Sequence, residues 1–74
     1  MKELLEYILK GIVKHPEDVV VVELEEGGKK VFEIVVSPED VGQVIGKDGR
    51  TIKSIKILMS SLFGGEDITF RVVR

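Results

Sequence analysis

The sequence contains no cysteine and no asparagine, a single histidine at position 15 and a single glutamine at position 43. Without cysteine there is neither a disulfide framework nor a thiolate nucleophile. His15 has no second ligand or nucleophile near it, so we predict no metal site and no catalytic cluster, and expect His15 to end a helix. The shortage of thermolabile side chains, together with many Lys, Glu and Val residues, fits a heat-adapted source.

Long apolar runs are also missing. No segment approaches membrane-spanning length, and the N-terminal residues show an amphipathic helical pattern rather than that of a signal peptide. The sequence therefore predicts a cytoplasmic protein without a membrane partner. Its 74 residues suffice for one small domain, residues 1–74, with a thin core that a partner or a second copy would help to stabilise.

The net charge of −2 does not favour a nucleic-acid ligand, but the distribution of charge does. Residues 47–56 contain four cationic side chains and one carboxylate, a local balance of +3 that leaves −5 on the rest of the chain. A basic stripe on an acidic body is typical of a phosphate-binding surface. The alternative is an ordinary solvated helix face, which the neighbouring glycine loop makes the less favoured interpretation.

Hydrophobic periodicity in the first half of the chain predicts one helix and two strands. Helical spacing over residues 2–14 gives the helix, which should stop before Pro16. Two valine-rich segments, 18–25 and 30–36, alternate as strands on either side of a glycine-rich turn. The pattern predicts a helix followed by an antiparallel hairpin.

The second half begins with a short helix. Ser37 is a favourable N-cap and Pro38 a favourable first helical residue, and the helix should end at Ile45. A strand is predicted at the other end of the chain, over residues 68–73, with alternate side chains pointing inward.

Between them lies a longer helix, predicted over residues 50–63 and ended by Gly64 and Gly65. Its core stripe is expected to consist of Ile52, Ile55, Leu58, Met59, Leu62 and Phe63. The complete order, α-β-β-α-α-β, predicts an α+β fold whose second and third strands lie parallel across a right-handed connection.

Two glycines separated by two polar residues lie between the predicted helices, in residues 44–53, which read VIGKDGRTIK. Glycine permits backbone conformations closed to other residues and lets a ligand approach the main chain. Gly46 stands where the preceding helix needs a C-terminal cap, and Gly49 precedes the next helix. The free N–H groups at that helix start favour an anion such as phosphate. Positive charge is added by Lys47, Arg50 and Lys53.

This loop resembles the Gly-x-x-Gly signature of the KH domain, and the longer string Val-Ile-Gly-x-x-Gly-x-x-Ile strengthens the match. With its flanking elements, nearly the whole chain resembles the type II KH fold, in particular the small bacterial single-KH RNA-binding proteins of the KhpA family. The matching segments are residues 35–46, VVSPEDVGQVIG, and 49–55, GRTIKSI. The resemblance implies a three-stranded mixed sheet with three helices packed on one face.

The resemblance further implies binding of single-stranded RNA, about four nucleotides, with no chemistry and no cofactor. Loop amides near Lys47 to Arg50 would hold the backbone, and bases would lie in a groove between the two helices and the sheet edge. The implied loop residues are Gly46, Lys47, Asp48, Gly49, Arg50 and Lys53. The implied groove floor, whose members can also pack in the core, consists of Val41, Val44, Ile45 and Ile52.

Asp48 places a negative charge where phosphate is expected, unless its side chain caps the following helix or balances a lysine. No aromatic side chain is placed for strong base stacking, so we expect low sequence selectivity, as in a post-transcriptional regulator or RNA chaperone. The loop lacks the longer glycine spacing and final Gly-Lys-Ser/Thr of a nucleotide phosphate loop, so no enzyme is predicted.

The alternative function is a protein-interaction module that forms a homodimer or, as the resemblance implies, pairs with a larger KH-containing RNA-binding protein. Ile57 motivates self-association through the outer flank of the long helix, because at about 100° per residue it lies nearly opposite the core stripe. The rival surface is the outer face of the sheet, with an expected cluster of Val19, Val21, Val31, Val35 and Val73. Tyr7 is expected at the rim of the core, with base stacking as its alternative role.

Overall fold

The computed structural model describes residues 1–64 and 67–73, which form three helices, three strands and three short 3₁₀ turns. In chain order, the helices and strands are α1 Lys2–Lys10, β1 Val20–Glu26, β2 Lys29–Val35, α2 Val41–Ile45, α3 Arg50–Leu62 and β3 Ile68–Val73. The 3₁₀ turns are Pro16–Asp18, Pro38–Asp40 and Lys47–Gly49. The predicted order of elements is confirmed. Within these residues no helix has the length and apolarity that crossing a bilayer requires.

The three strands form one mixed sheet in the order β1–β2–β3. β1 and β2 pair antiparallel, with Val21 opposite Ile34. β2 and β3 pair parallel, with Phe32 opposite Phe70, which confirms the predicted direction of the last strand. Both α2 and α3 therefore belong to a single connection between neighbouring parallel strands.

One hydrophobic core joins all three helices to one face of the sheet. The core residues contributed by the helices are Leu5, Leu9, Val44, Ile55 and Met59. Those contributed by the three strands are Val21, Phe32, Ile34 and Ile68. Phe32 is fully buried, and its ring meets that of Phe70 edge-on with 6.0 Å between centroids. The α+β architecture with its helices on one face is thus confirmed.

α1 ends at Lys10, whereas helical spacing predicted an end near residue 14. Gly11 follows as the C-cap. The amides of Lys14 and His15 donate to the carboxylate of Asp40, at 3.1 and 3.0 Å, instead of to helical carbonyls. A long-range polar contact therefore overrides the local apolar pattern.

The segment after β2 begins as a 3₁₀ turn, Pro38–Asp40, and becomes α-helical only at α2. Ser37 occupies the N-cap position, as predicted, but through its carbonyl, which accepts the Asp40 amide at 2.8 Å; its side chain makes no capping bond. The predicted bounds of β3 are confirmed. Gly65, expected to help end α3, lies outside the described residues.

The expected assignment of β1 side chains to the two sheet faces was wrong by one residue. Val19 and Val21 are buried in the core, whereas Val20 and Val22 are exposed on the outer face. The strand register gives the reason, because Val21 lies opposite the fully buried Ile34. Because residues 19–22 are all valine, no alternation of apolar and polar side chains indicates which of them point towards the core.

Val31 lies on the outer face, yet it is only 4% exposed. The guanidinium of Arg71, on β3, contacts the carboxylates of Glu33 on β2 and Glu26 on β1, both at 3.2 Å. This guanidinium thus links the two edge strands across the central strand, on the same face as Val31. The valines that remain exposed on this face are Val20, Val22, Val35 and Val73.

Half of the predicted core stripe of α3 is exposed. Ile55 and Met59 are buried, but the sheet reaches only a narrow strip of the helix around them. The exposed members are Leu58, Leu62 and Phe63, at 48%, 59% and 37%. Tyr7 is 78% exposed, so the expectation that it lies at the rim of the core was also wrong. A two-layer fold of this size leaves the flanks of its helices open.

Candidate nucleic-acid interface

A tight turn containing three residues of positive φ joins α2 to α3. Gly46 ends α2 at φ 76° and ψ 173°, and its amide donates to the carbonyl of Gly42 at 2.8 Å. Asp48 and Gly49 both adopt the left-handed conformation, at φ 57° and 73°. This backbone path allows α3 to start immediately afterwards, at Arg50.

The two glycines are required for different reasons. A Cβ at Gly46 would lie 2.8 Å from the backbone nitrogen of Thr51, so a side chain there collides with the start of α3. A Cβ at Gly49 would meet no atom within 4 Å, and only its positive φ disfavours other residues. The turn is therefore pressed against α3 at Gly46 and has open space around Gly49.

Two of the amides in this turn are occupied, and two are free. Gly49 donates to the carbonyl of Gly46 at 3.2 Å, and Arg50 donates to the carbonyl of Lys47. No acceptor in the described part of the chain takes the amide hydrogens of Lys47 and Asp48. The amides of Thr51 and Ile52, which follow Arg50 in the first turn of α3, also lack partners within that helix. The amides that remain available to a phosphate are therefore those of Lys47 and Asp48 and those at the start of α3.

Asp48 neither caps α3 nor pairs with a lysine, the two roles in which its negative charge would not oppose a phosphate. Gly49, the N-cap of α3, receives no side-chain capping bond, and Asp48 has no ion pair within residues 1–64 and 67–73. Its left-handed backbone is a conformation that aspartate adopts more readily than most side chains. Asp48 thus fits the backbone of the turn, while its carboxylate remains exposed.

Four cationic side chains lie in the turn and along the first half of α3. Those of Lys47, Arg50, Lys53 and Lys56 are exposed and have no carboxylate partner among the described residues. Arg50 and Lys53 are three residues apart on α3, so they lie on the same side of the helix. Free amides and unpaired cations are therefore found together at one end of α3, a combination suited to binding an anion.

The residues expected to form the groove floor differ in exposure. Val44 is fully buried in the core and is the one of the four predicted floor residues without accessible surface. Val41, Ile45 and Ile52 are half-buried and retain accessible apolar surface, Ile45 and Ile52 on either side of the turn and Val41 at the start of α2. The floor is thereby reduced to these three side chains.

The outer side of α3 carries a shallow depression of about 460 Å³, lined by Lys53, Lys56, Ile57, Ser60 and Ser61. Ile57 is 61% exposed, as its helical angle predicted. Leu58 and Leu62 are exposed as well, but at about 100° per residue they lie on a different side of the helix from Ile57, towards the core stripe. α3 therefore has a basic end at the turn and an apolar surface further along.

His15, Glu17 and Asp18 place one potential ligand atom each within 4.8 Å of the others, a cluster that the sequence did not predict. All three are accessible, and Nε2 of His15 is engaged by Glu39 at 3.2 Å. The hydrogen bond with Glu39, aided by the charge of Asp40, raises the pKa of His15. Nothing else in the described residues at this position points to a metal ion.

Comparison with known proteins relates the whole chain to one family. The family model described as KhpA/KhpB, KH domain, matches residues 2–73. The RNA-binding protein KhpA of Thermotoga maritima is 73% identical over an alignment of 75 positions that covers all of both chains. The RNA-binding protein KhpA of Leifsonia xyli subsp. xyli is 44% identical, over 93% of this chain and 91% of its own.

A solved structure has the same fold. The crystal structure of a protein named APE1850 matches with a TM-score of 0.64 and 33% identity. The match covers 90% of this chain and 49% of the other, so the chain spans about half the length of that protein.

Proposed function

The chain belongs to the KhpA/KhpB KH-domain family, and on that premise we propose that it binds single-stranded RNA at the turn between α2 and α3. The observation that carries the proposal is the coincidence of free amides at Lys47 and Asp48 with the unpaired side chains of Lys47, Arg50 and Lys53. Backbone amides and cations together are the usual partners of nucleic-acid phosphates. The relatives named RNA-binding protein KhpA support RNA as the ligand.

The proposed complex holds the RNA backbone and leaves the bases on apolar surface. One KH domain accommodates about four nucleotides, whose phosphates would face the free amides. Val41, Ile45 and Ile52 would contact the bases, and no chemical step is involved. Aliphatic contacts distinguish bases poorly, so low sequence selectivity follows. Such binding suits a post-transcriptional regulator or RNA chaperone that contacts many transcripts briefly.

The test is binding of a fluorescein-labelled RNA pool of random sequence, about twelve nucleotides long, three times the length that one KH domain holds. We expect Lys47→Asp to abolish binding, because two adjacent carboxylates then face the phosphate. Lys2→Asp is the matched control: it makes the same change in net charge at an exposed position on α1. Normal binding by a folded Lys47→Asp protein would mean that the RNA site lies elsewhere.

A second candidate function is protein interaction, and the exposed apolar surface of α3 favours it. Ile57, Leu58 and Leu62 expose between 48% and 61% of their surface on a helix of 13 residues. Ile57 lies on the outer side of the helix beside a shallow depression, where a large exposed apolar side chain is a candidate contact for a partner. The occupant would be a second copy of the chain or a larger KH-containing RNA-binding protein.

Sedimentation with and without the RNA pool separates the two functions. An interaction module assembles without RNA and is indifferent to it, whereas an RNA-binding protein changes mass when the pool is added. Because the turn and the apolar surface share α3, both functions can reside in one molecule, and assembly should then alter RNA affinity.

A further inference from the structure

The buried charged side chain of the described residues is Asp40, which is 1% exposed. Its Oδ1 accepts the amide hydrogen of Lys14 at 3.1 Å, and its Oδ2 accepts that of His15 at 3.0 Å. Asp40 occupies the N-cap position of α2, yet it makes no capping bond to its own helix. The carboxylate instead ties the start of α2 to the connection between α1 and β1, 25 and 26 residues earlier in the chain.

α2 needs such an anchor because it contains only five residues. Isolated helices of that length are not stable in water, so tertiary contacts must determine its position. At its far end, Gly46 presses against Thr51, and in its middle Val44 enters the core. Asp40 supplies the contact at its beginning, and hydrogen bonds fix direction more strictly than apolar packing does.

We infer that Asp40 is a positioning residue for RNA binding, and the inference rests on the function proposed above. Its carboxylate holds α2, and through α2 the free amides of Lys47 and Asp48, in the arrangement that accepts phosphate. When a binding-competent arrangement is populated by only a fraction of molecules, the apparent Kd rises in inverse proportion to that fraction. Loss of the carboxylate therefore weakens RNA binding, although Asp40 itself touches no RNA.

Asp40→Asn tests this with little change in shape. The amide nitrogen of asparagine cannot accept a hydrogen bond, so at least one of the two backbone amides loses its partner. Glu25→Gln is the first control, because it removes an exposed carboxylate on β1, opposite Lys30 and away from α2. Ile68→Val is the second: it trims the core where β3 begins opposite Lys30, at the far end of β2 from the segment that leads into α2.

Two quantities are measured for each protein, at a temperature where circular dichroism shows every variant folded. The first is affinity for the random RNA pool of about twelve nucleotides, and the second is amide hydrogen exchange without RNA. We expect Asp40→Asn to lower affinity about fivefold, as when the competent fraction falls to about one fifth. Exchange should accelerate at Gly46 and Gly49, whose amides are hydrogen-bonded in the turn. Both controls should stay within about twofold of wild-type affinity, an energy difference near 0.4 kcal/mol.

The inference is overturned if the wild type binds RNA and Asp40→Asn binds equally well with unchanged exchange in the turn. It is also overturned if Ile68→Val loses as much affinity, since general destabilisation would then explain the loss. Failure of the proposed function is seen separately, as absence of binding by the wild type, and removes the inference with it. If Asp40→Asn does not fold, Asp40→Ser is measured instead, and its RNA affinity and amide exchange are judged by the same criteria.

Discussion

Cationic side chains occur both on the sheet and around the turn after α2, and the two groups differ in whether they are paired. On the sheet, Lys29, Lys30 and Arg71 each contact a carboxylate, at 3.3, 3.7 and 3.2 Å. Near the turn, Lys47 and Arg50 have no such contact within the residues described. Of these two regions, the turn therefore has the cations that are free to meet an anion.

The backbone shows the same contrast. On the sheet, amides are occupied by the β1–β2–β3 ladders, and Arg71 is paired with Glu26 and Glu33. At the turn, the amides of Lys47 and Asp48 have no acceptor in the part of the chain described. Exposed ion pairs such as those on the sheet contribute little stability, but they neutralise charge that would otherwise attract phosphate.

The largest effect is expected from breaking the turn itself. Gly46→Ala combines positive φ with a collision against Thr51, so it should lower the free energy of unfolding by about 2–5 kcal/mol and abolish RNA binding. Gly49→Ala has open space and should cost only about 1–2 kcal/mol, the penalty of the left-handed conformation. Chemical denaturation of both variants measures the difference. Equal losses would show that the contact with Thr51 is unimportant.

The second largest effect is expected on self-association, through either the apolar surface of α3 or the outer face of the sheet. If α3 carries self-association, Ile57→Glu should raise the dimer dissociation constant more than about tenfold, because a charge is buried in an apolar contact. RNA affinity should change with it. Val35→Glu, on the outer face of the sheet, is the matched change. Sedimentation of both variants decides, and a dimer that survives the first substitution but not the second lies on the sheet.

A smaller effect is expected in the salt dependence of RNA binding. Three cationic contacts give a slope of log affinity against log salt of roughly −2, from about −0.7 per contact for single strands. Arg50→Ala should flatten the slope by about 0.7, whereas Arg71→Ala, which removes a cation already paired on the sheet, should leave it unchanged. Equal slopes for the two variants would contradict the distinction between paired and unpaired charge.

The smallest effect is expected from His15, whose pKa is raised chiefly by its hydrogen bond with Glu39. A raised pKa means that the protonated form is favoured in the folded state. The resulting stability is fully present below the usual pKa of 6.5 and is lost as pH rises through the higher folded value. Melting temperatures across this range should show the decrease in the wild type, with a smaller decrease in Glu39→Gln. A pH dependence unaffected by Glu39→Gln would assign it to another group.

The order of elements and the location of the turn could be predicted because both depend on nearby residues. Gly46, Gly49 and the apolar residues beside them form a contiguous signature, and strand and helix periods are local properties. The half-buried state of Ile45 and Ile52 could not be read from the same signature, since it depends on how α2 lies against α3. The exclusion of Val44 from the surface has the same origin.

The wrong predictions all involve contacts between distant parts of the chain. The inward side of residues 19–22 depends on the register with β2, and the exposure of Leu58 and Leu62 depends on how far the sheet extends beneath α3. The partners of Asp40 could not be predicted, because nothing near it in the sequence points to the amides of Lys14 and His15. Such pairings become visible only when the chain is folded.

The central claim is that RNA phosphate meets the free amides of the turn. The most direct test is a titration of the ¹⁵N-labelled protein with a single-stranded RNA of about four nucleotides, the length that a KH domain holds. The amide signals of Lys47, Asp48 and the first turn of α3 should move most, and those of β1 should remain in place. Largest changes on the outer face of the sheet, around Arg71, with an unmoved turn would contradict the claim.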